Sequence, residues 1–125
     1  MRPTAAGTIL DASALVTLPR SIYARTLVDI SVRERRPLVI PAASLYIAAL
    51  AGADPTDFDT ADYTVTPVSQ AIVPGMLAVA QTSTAPIPLD LAHVAWEAQV
   101  TGYPVLTDNP GPYALLPLPL DLELL

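Results

Sequence analysis

The stretch Thr8-Ile9-Leu10-Asp11-Ala12-Ser13-Ala14-Leu15 decides how the fold is predicted. It begins with β-branched residues and lacks the spacing of a helix, which favours a short buried strand that delivers Asp11 at its end. A second, continuous apolar run, Leu38-Val39-Ile40, is typical of a strand in a parallel sheet that is covered on both faces. The two runs together predict that Asp11 stands at the carboxyl edge of a buried sheet.

Helical patterns separate these strands from further ones. Ser21 is a candidate N-cap for a helix that extends to about Arg35. Tyr23, Leu27 and Ile30 follow it at the i, i+4 and i+7 positions of one apolar helix face. Further helices are predicted over 42–51, 69–81 and 89–100, and further strands over 64–66, 104–108 and 118–124. This alternation predicts an α/β fold, a three-layer α/β/α sandwich around a central, mostly parallel sheet of about four or five strands.

Length and composition fit one domain over residues 1–125, because single cores usually close at about this size. Hydrophobic residues make up 52% of the chain and charged residues 14%, which excludes a charge-rich disordered tail. The absence of cysteine excludes disulfide scaffolds, thiolate zinc sites and thiol nucleophiles. No apolar run reaches the roughly 18–20 residues of a membrane span, and no signal peptide is recognised, so we expect no membrane association. A cytoplasmic location and a homodimer are default expectations.

Charge is distributed unevenly along the chain, whose net charge is −6. All six basic residues are arginines before position 37, whereas residues 37–125 carry nine acids and no base. Most of this surface would repel RNA unless a metal ion or the arginine-bearing segment intervened. The cluster of Arg33, Arg35 and Arg36 is able to contact RNA phosphate, a nucleotide or an acidic protein. The alternative is that these arginines only complement the dipole at the end of a helix.

Three aspartates are predicted to converge on one crevice of the sheet. Asp11 and Asp108 each follow a predicted strand, and Asp90 lies at the head of the helix that precedes the second of these strands. Three carboxylates suit Mg²⁺ or Mn²⁺ with open coordination positions, and such a site supports phosphodiester hydrolysis by a metal-activated water. The alternative is structural: a strand-end cap at Asp11, a helix N-terminal acid at Asp90 and an Asx turn at Asp108.

Four segments occur in a defined order: Ile9-Leu10-Asp11-Ala12-Ser13-Ala14-Leu15, Leu38-Val39-Ile40-Pro41 before a helix, Asp90-Leu91-Ala92-His93-Val94-Ala95, and Pro104-Val105-Leu106-Thr107-Asp108. In this order and spacing the chain resembles the PIN domain family over nearly its whole length. The resemblance implies a three-layer α/β/α fold and Mg²⁺- or Mn²⁺-dependent endoribonuclease activity, in many members as the toxin of a toxin–antitoxin pair. It also implies that Asp11, Asp90 and Asp108 are the catalytic metal ligands and that the Ser13 hydroxyl supports Asp11.

The sequence departs from this family at one acidic position. A glutamate is usual on the helix after the second strand, where this chain has Ile47, and no acid occurs between Glu34 and Asp54. Loss of one carboxylate weakens metal affinity and misplaces the nucleophilic water. We therefore expect a degenerate PIN-like domain that acts as a binding or regulatory module for a nucleotide, nucleic acid or protein partner, with weak or no nuclease activity. The alternative is an active ribonuclease of the toxin–antitoxin type in which the three aspartates suffice.

His93 is a further candidate because it lies one helical turn after Asp90. If both side chains face the crevice, the imidazole is able to donate to a phosphate of a nucleotide ligand or to transfer a proton. The alternative is a partly exposed helical histidine without a chemical task. Glu97, a further turn along the same predicted helix, either approaches the metal or is solvated.

Overall fold

The computed structural model of the protein describes residues 6–125. Its five strands form one sheet in the order β3-β2-β1-β4-β5, and every neighbouring pair is parallel. The strands are β1 (Thr8–Leu10), β2 (Leu38–Pro41), β3 (Thr64–Thr66), β4 (Val105–Thr107) and β5 (Leu122–Leu124). The helices are α1 (Ala12–Thr17), α2 (Ile22–Arg33), α3 (Ala42–Leu50), α4 (Val73–Thr82) and α5 (Leu89–Thr101). Short 3-10 turns occupy Leu18–Arg20, Pro55–Phe58, Gln70–Ile72 and Gly111–Leu115.

Alternate side chains of the central strands point to opposite faces of the sheet, as the two-residue period of a strand requires. Ile9 packs against α4 and α5 in one apolar cluster. Leu10 packs against α1 and α2 in a second cluster on the other face. Helix α3 follows β2 directly and packs against both α1 and α5. The result is the expected three-layer α/β/α sandwich, with a sheet that is entirely parallel.

Local sequence signals begin and end the helices as expected at several points. The Ser21 hydroxyl accepts a hydrogen bond from the Ala24 amide at 3.0 Å and caps α2. Gly102 ends α5 with a φ of 71°, in the left-handed region that glycine adopts without strain. Pro74 lies in the first turn of α4, where its missing amide hydrogen is not needed.

The sequence pattern does not predict α1. Its six residues are too few to display a helical repeat, and they follow β1 after a single residue, so the pattern assigns no element to them beyond the strand that ends at Asp11. Asp11 is that single residue, and its side chain accepts a hydrogen bond from the Ala14 amide at 2.9 Å. The acid predicted to end a strand therefore also begins a helix.

The predicted apolar face of α2 is shifted by one residue. Ala24 and Ser31 are buried, whereas Tyr23 and Ile30 are exposed. Leu27 belongs to both possible faces, because positions 24, 27, 28 and 31 repeat with the same helical period as positions 23, 27 and 30. Periodicity alone does not distinguish two such overlapping stripes.

The last predicted strand is shorter than the pattern indicates. The alternation of apolar and polar residues over 118–124 predicts one strand, but only Leu122–Leu124 pair with β4. Pro117 and Pro119 have no amide hydrogen to donate to a ladder, which limits pairing in the preceding residues. The expected edge position is confirmed, since β5 is the last strand of the sheet. In the described part of the chain, no helix has the length and apolar character needed to cross a membrane.

Candidate functional site

A cavity of about 420 Å³ lies at the carboxyl ends of β1 and β4. All three predicted acidic residues, Asp11, Asp90 and Asp108, line it, together with Ser13. In a parallel α/β sheet, this edge is where ligands bind, because the loops there leave the strands in a common direction. The fold therefore brings the predicted acidic residues to one cavity, although their roles as catalytic metal ligands stay a prediction.

Asp11 is the most constrained of these acids, with only 6% of its surface exposed. Its Oδ1 atom accepts hydrogen bonds from the Ala14 amide at 2.9 Å and from the Ser13 hydroxyl at 2.7 Å. Its Oδ2 atom accepts a hydrogen bond from the Tyr113 hydroxyl at 2.7 Å. These three donors compensate the carboxylate for the water that it loses on burial. They use three of the roughly four lone-pair sites of the carboxylate and leave about one, on Oδ2.

Tyr113 is a site residue that sequence analysis missed. It lies in the 3-10 turn Gly111–Leu115, where the composition indicates only a turn, and no spacing links it to Asp11. Burial, the charge and hydrogen bond of Asp11, and the charge of Asp90 all raise the pKa of its hydroxyl, so Tyr113 stays protonated and donates. The phenol therefore holds the carboxylate oxygen that the donors of α1 do not contact.

Ser13 connects the beginning of α1 to the end of β4. Its hydroxyl donates to Asp11 at 2.7 Å, lies 3.1 Å from the Thr107 hydroxyl, and accepts a hydrogen bond from the Asp108 amide at 2.8 Å. The Thr17 hydroxyl donates to Asp108 Oδ2 at 3.0 Å. The contact expected between Ser13 and Asp11 is thus present, and it belongs to a network that fixes the geometry of this edge.

Two other charged groups of the cavity have no such support. Within residues 6–125, neither the Asp90 carboxylate nor the Arg20 guanidinium makes a hydrogen bond or ion pair. Asp90 is half-buried in the first turn of α5, where the helix dipole favours an acid, and Arg20 is exposed at the end of the turn after α1. Sequence analysis missed Arg20 because α1, which carries the chain back along the cavity, was not predicted.

Helix α3 forms an apolar wall of the cavity. Ile47, Ala48 and Ala51 line it, and Ile47 is 38% exposed. The position at which the family resemblance implies a glutamate therefore faces the cavity, but it carries an isoleucine. The cavity is therefore lined by acidic and hydroxyl side chains on one side and by apolar side chains of α3 on another.

The metal-ligand role of the three aspartates stays a prediction, because the described residues show no preformed cluster of ligating side chains. In the described part of the chain, no three His, Cys, Asp or Glu side chains are grouped closely enough to hold a metal ion. This agrees with the hydrogen bonds that hold Asp11, because a carboxylate that caps a helix is oriented by the backbone rather than toward a shared ion.

His93 does not face the cavity, and the prediction that it does is wrong. The imidazole is completely buried, and Glu97, also expected at the metal or in solvent, is buried beside it with its Oε1 atom 3.5 Å from His93 Nε2. Burial lowers the pKa of His93, an effect that the nearby charge of Glu97 opposes. A neutral imidazole inside the core cannot reach a bound phosphate.

The arginine cluster lies away from the cavity. Arg33 ends α2, and Arg35 and Arg36 precede β2 at its amino end, whereas the cavity is at the carboxyl edge. Arg36 forms an ion pair with Glu34. These arginines therefore do not contact a ligand in the cavity, and their contact with a phosphate elsewhere stays a prediction.

Comparison with known proteins identifies the fold but no family. No protein-family model and no curated protein matches the chain. Among solved structures, the chain is similar to one from a toxin–antitoxin complex of Klebsiella pneumoniae, with a TM-score of 0.63 and 19% sequence identity. The similarity covers 89% of this chain and 93% of that one. At this identity, the two chains share a fold.

Proposed function

We propose that the protein is a degenerate PIN-like domain that acts as a binding or regulatory module in a complex with a protein partner. In this proposal it has weak or no nuclease activity. The observation that carries the proposal is the state of Asp11, whose carboxylate caps α1 and accepts from Ser13 and Tyr113.

The arrangement of Asp11 supports a structural task for this acid. The three hydrogen bonds leave about one lone-pair site of Asp11, on Oδ2, for inner-shell coordination of Mg²⁺ or Mn²⁺. Coordination through both oxygens would require Asp11 to exchange hydrogen bonds for the ion. Replacement of the expected glutamate by Ile47 removes a further negative charge from the same cavity. Both features reduce the affinity for a divalent cation.

The outer surface of α3 supports a role in protein binding. Tyr46 is 65% exposed and Leu50 is 69% exposed, and the helix contains no charged residue. Neighbouring exposed apolar side chains on a helix are typical of contact surfaces between proteins. The structural neighbour comes from a toxin–antitoxin complex, and we propose that this chain likewise assembles with a protein partner.

Metal titration and RNA cleavage test the proposal directly. Calorimetric titration of Mn²⁺ and Mg²⁺ into the purified protein should give no binding that depends on Asp11, and the protein should not cleave single-stranded RNA with either ion. Asp11→Asn is the test variant, and Asp62→Asn, an exposed carboxylate outside the cavity, is the matched control. Cleavage that Asp11→Asn abolishes and Asp62→Asn preserves would overturn the proposal.

The second candidate is an active Mg²⁺- or Mn²⁺-dependent ribonuclease. One observation favours it: Asp11, Asp90 and Asp108 line a single cavity at the edge of the sheet where ligands bind. This candidate requires that metal binding rearrange the three carboxylates and that water replace the missing glutamate. The same titration distinguishes the two functions.

A further inference from the structure

We propose that the cavity binds a small zwitterion with an apolar body, its cationic group at Asp90 and its anionic group at Arg20. The inference rests on the proposed function, because a nuclease would use the same acids for its metal. It adds the chemical class of the ligand.

Two charges of opposite sign, Asp90 and Arg20, line the cavity without partners among residues 6–125. Asp90 is half-buried and Arg20 is exposed, and in the described part of the chain neither is hydrogen-bonded or ion-paired. Asp11 and Asp108 differ from them, since protein hydroxyl or amide groups already donate to both carboxylates. An unpaired charge in a partly desolvated position gains most from a ligand of opposite charge. The half-buried Asp90 carboxylate therefore favours a cationic group of the ligand, and the exposed Arg20 guanidinium at the same cavity is available for an anionic group.

The remaining wall selects the body of the ligand. Ile47 from α3, Ala51 directly after α3 and Val16 from α1 give that part of the cavity an apolar surface. Its volume of about 420 Å³ lies in the range that encloses small organic molecules. A phosphate-rich ligand would face the carboxylates of Asp90 and Asp108, and a simple organic cation would leave Arg20 unpaired. A zwitterion with an aliphatic body pairs with both charges and packs its apolar part against the apolar wall.

Four probes separate the contributions of the two charges. L-Leucine carries both charges at one carbon, 6-aminohexanoate carries them at opposite ends of an aliphatic chain, and hexylamine and hexanoate carry one each. In calorimetric titrations at ligand concentrations up to about 10 mM, we expect at least one zwitterion to bind. We expect it to bind about tenfold more tightly than either singly charged probe, which corresponds to about 1.4 kcal/mol.

Variants assign each charge to its residue. Asp90→Asn should weaken zwitterion binding about tenfold and leave hexanoate binding unchanged, whereas Arg20→Gln should weaken zwitterion binding and leave hexylamine binding unchanged. Arg25→Gln, an exposed arginine of α2 outside the cavity, is the matched control and should bind as the parent does. Circular dichroism and melting temperatures establish that all variants are folded.

Three results would overturn the inference: no binding of either zwitterion, equal binding of hexylamine and 6-aminohexanoate, or zwitterion binding that Arg20→Gln does not change. The proposed function fails by a different result, RNA cleavage that depends on Asp11 and on a divalent cation. A protein that neither cleaves RNA nor binds zwitterions would refute the ligand class alone.

Discussion

The Tyr113 hydroxyl donates a hydrogen bond to Asp11 Oδ2 at 2.7 Å, across 102 residues of sequence. Both residues are buried, with 7% of Tyr113 and 6% of Asp11 exposed. The contact joins the turn after β4 to the residue between β1 and α1. The hydrogen bond joins Asp11, a site residue that the sequence identifies, to Tyr113, a site residue that the sequence does not identify.

Removal of the Tyr113 hydroxyl should destabilise the protein. Tyr113→Phe leaves a buried carboxylate oxygen without its donor, and such a loss costs about 1–3 kcal/mol. Urea denaturation followed by circular dichroism measures the change in the free energy of unfolding. Tyr46→Phe, at an exposed position of α3, is the control and should have almost no effect. Equal stability of the two variants would mean that the hydrogen bond contributes nothing.

Replacement of Asp11 should reveal its structural task without any metal. Asp11→Ala removes the cap of α1, worth about 1–2 kcal/mol, and leaves Ser13 and Tyr113 without their acceptor. We expect a loss of at least about 2 kcal/mol of unfolding free energy in a buffer that contains EDTA. Asp62→Ala should be neutral. Unchanged stability of Asp11→Ala in EDTA would assign the carboxylate to ligand binding alone.

A carboxylate restored at position 47 should increase the affinity for Mn²⁺. Ile47→Glu adds an acid at the cavity wall beside Asp11, Asp90 and Asp108, and each additional oxygen ligand favours a hard divalent cation. We expect at least about tenfold tighter binding than in the parent protein, measured by calorimetry. Leu50→Glu, on the same helix but outside the cavity, controls for the added charge. Equal Mn²⁺ affinities of the two variants would show that the missing glutamate is not the cause of weak metal binding.

His93 should make the protein sensitive to mild acid. Burial lowers the pKa of the folded imidazole from 6.5, so the unfolded chain binds a proton at a higher pH than the folded one. Stability is therefore complete above the unfolded pKa and falls as the pH decreases from about 6.5 toward the folded value. His93→Leu should reduce this dependence, measured as the urea midpoint between about pH 7.5 and 5.5. A pH dependence equal to that of the parent would assign it to other groups.

Gly75 should not tolerate a side chain. A Cβ atom at this position would lie 2.6 Å from Cδ1 of Trp96, so Gly75→Ala forces α4 and α5 apart. Overpacking of this kind costs about 1–3 kcal/mol and exceeds the gain of about 1 kcal/mol from helix propensity. The fluorescence of Trp96, the single tryptophan of the chain, reports the displacement. Gly75→Ala combined with Trp96→Leu should recover most of the stability, and failure to recover would exclude the clash as the cause.

The sequence predicts the sheet well for a physical reason. The central strands must be apolar on both faces, so Leu38-Val39-Ile40 and the run before Asp11 stand out without knowledge of their neighbours. It also identifies the three acids of the cavity, because the carboxyl ends of parallel strands share one edge.

The remaining features depend on tertiary contacts that have no local signal. Helix α1 is too short for a repeat, and its position decides where Arg20 lies. Tyr113 reaches Asp11 from a turn that is remote in sequence. His93 follows Asp90 by one turn, yet the packing of α5 turns the imidazole into the core. In each case the surroundings of the side chain depend on a part of the fold that is distant in sequence, so the local sequence pattern does not reveal them.

The strand order has a consequence for how the chain is completed during synthesis. β1 is paired on one side with β2, about 30 residues later in the sequence, and on the other with β4, which begins at Val105. In a ribosome-bound chain from which β4 has not yet emerged, the backbone N–H and C=O groups on one edge of β1, a strand in the middle of the final sheet, have no partner strand. The central strand β1 thus gains its second partner only late in synthesis, and an edge left unpaired during that interval favours association with other chains.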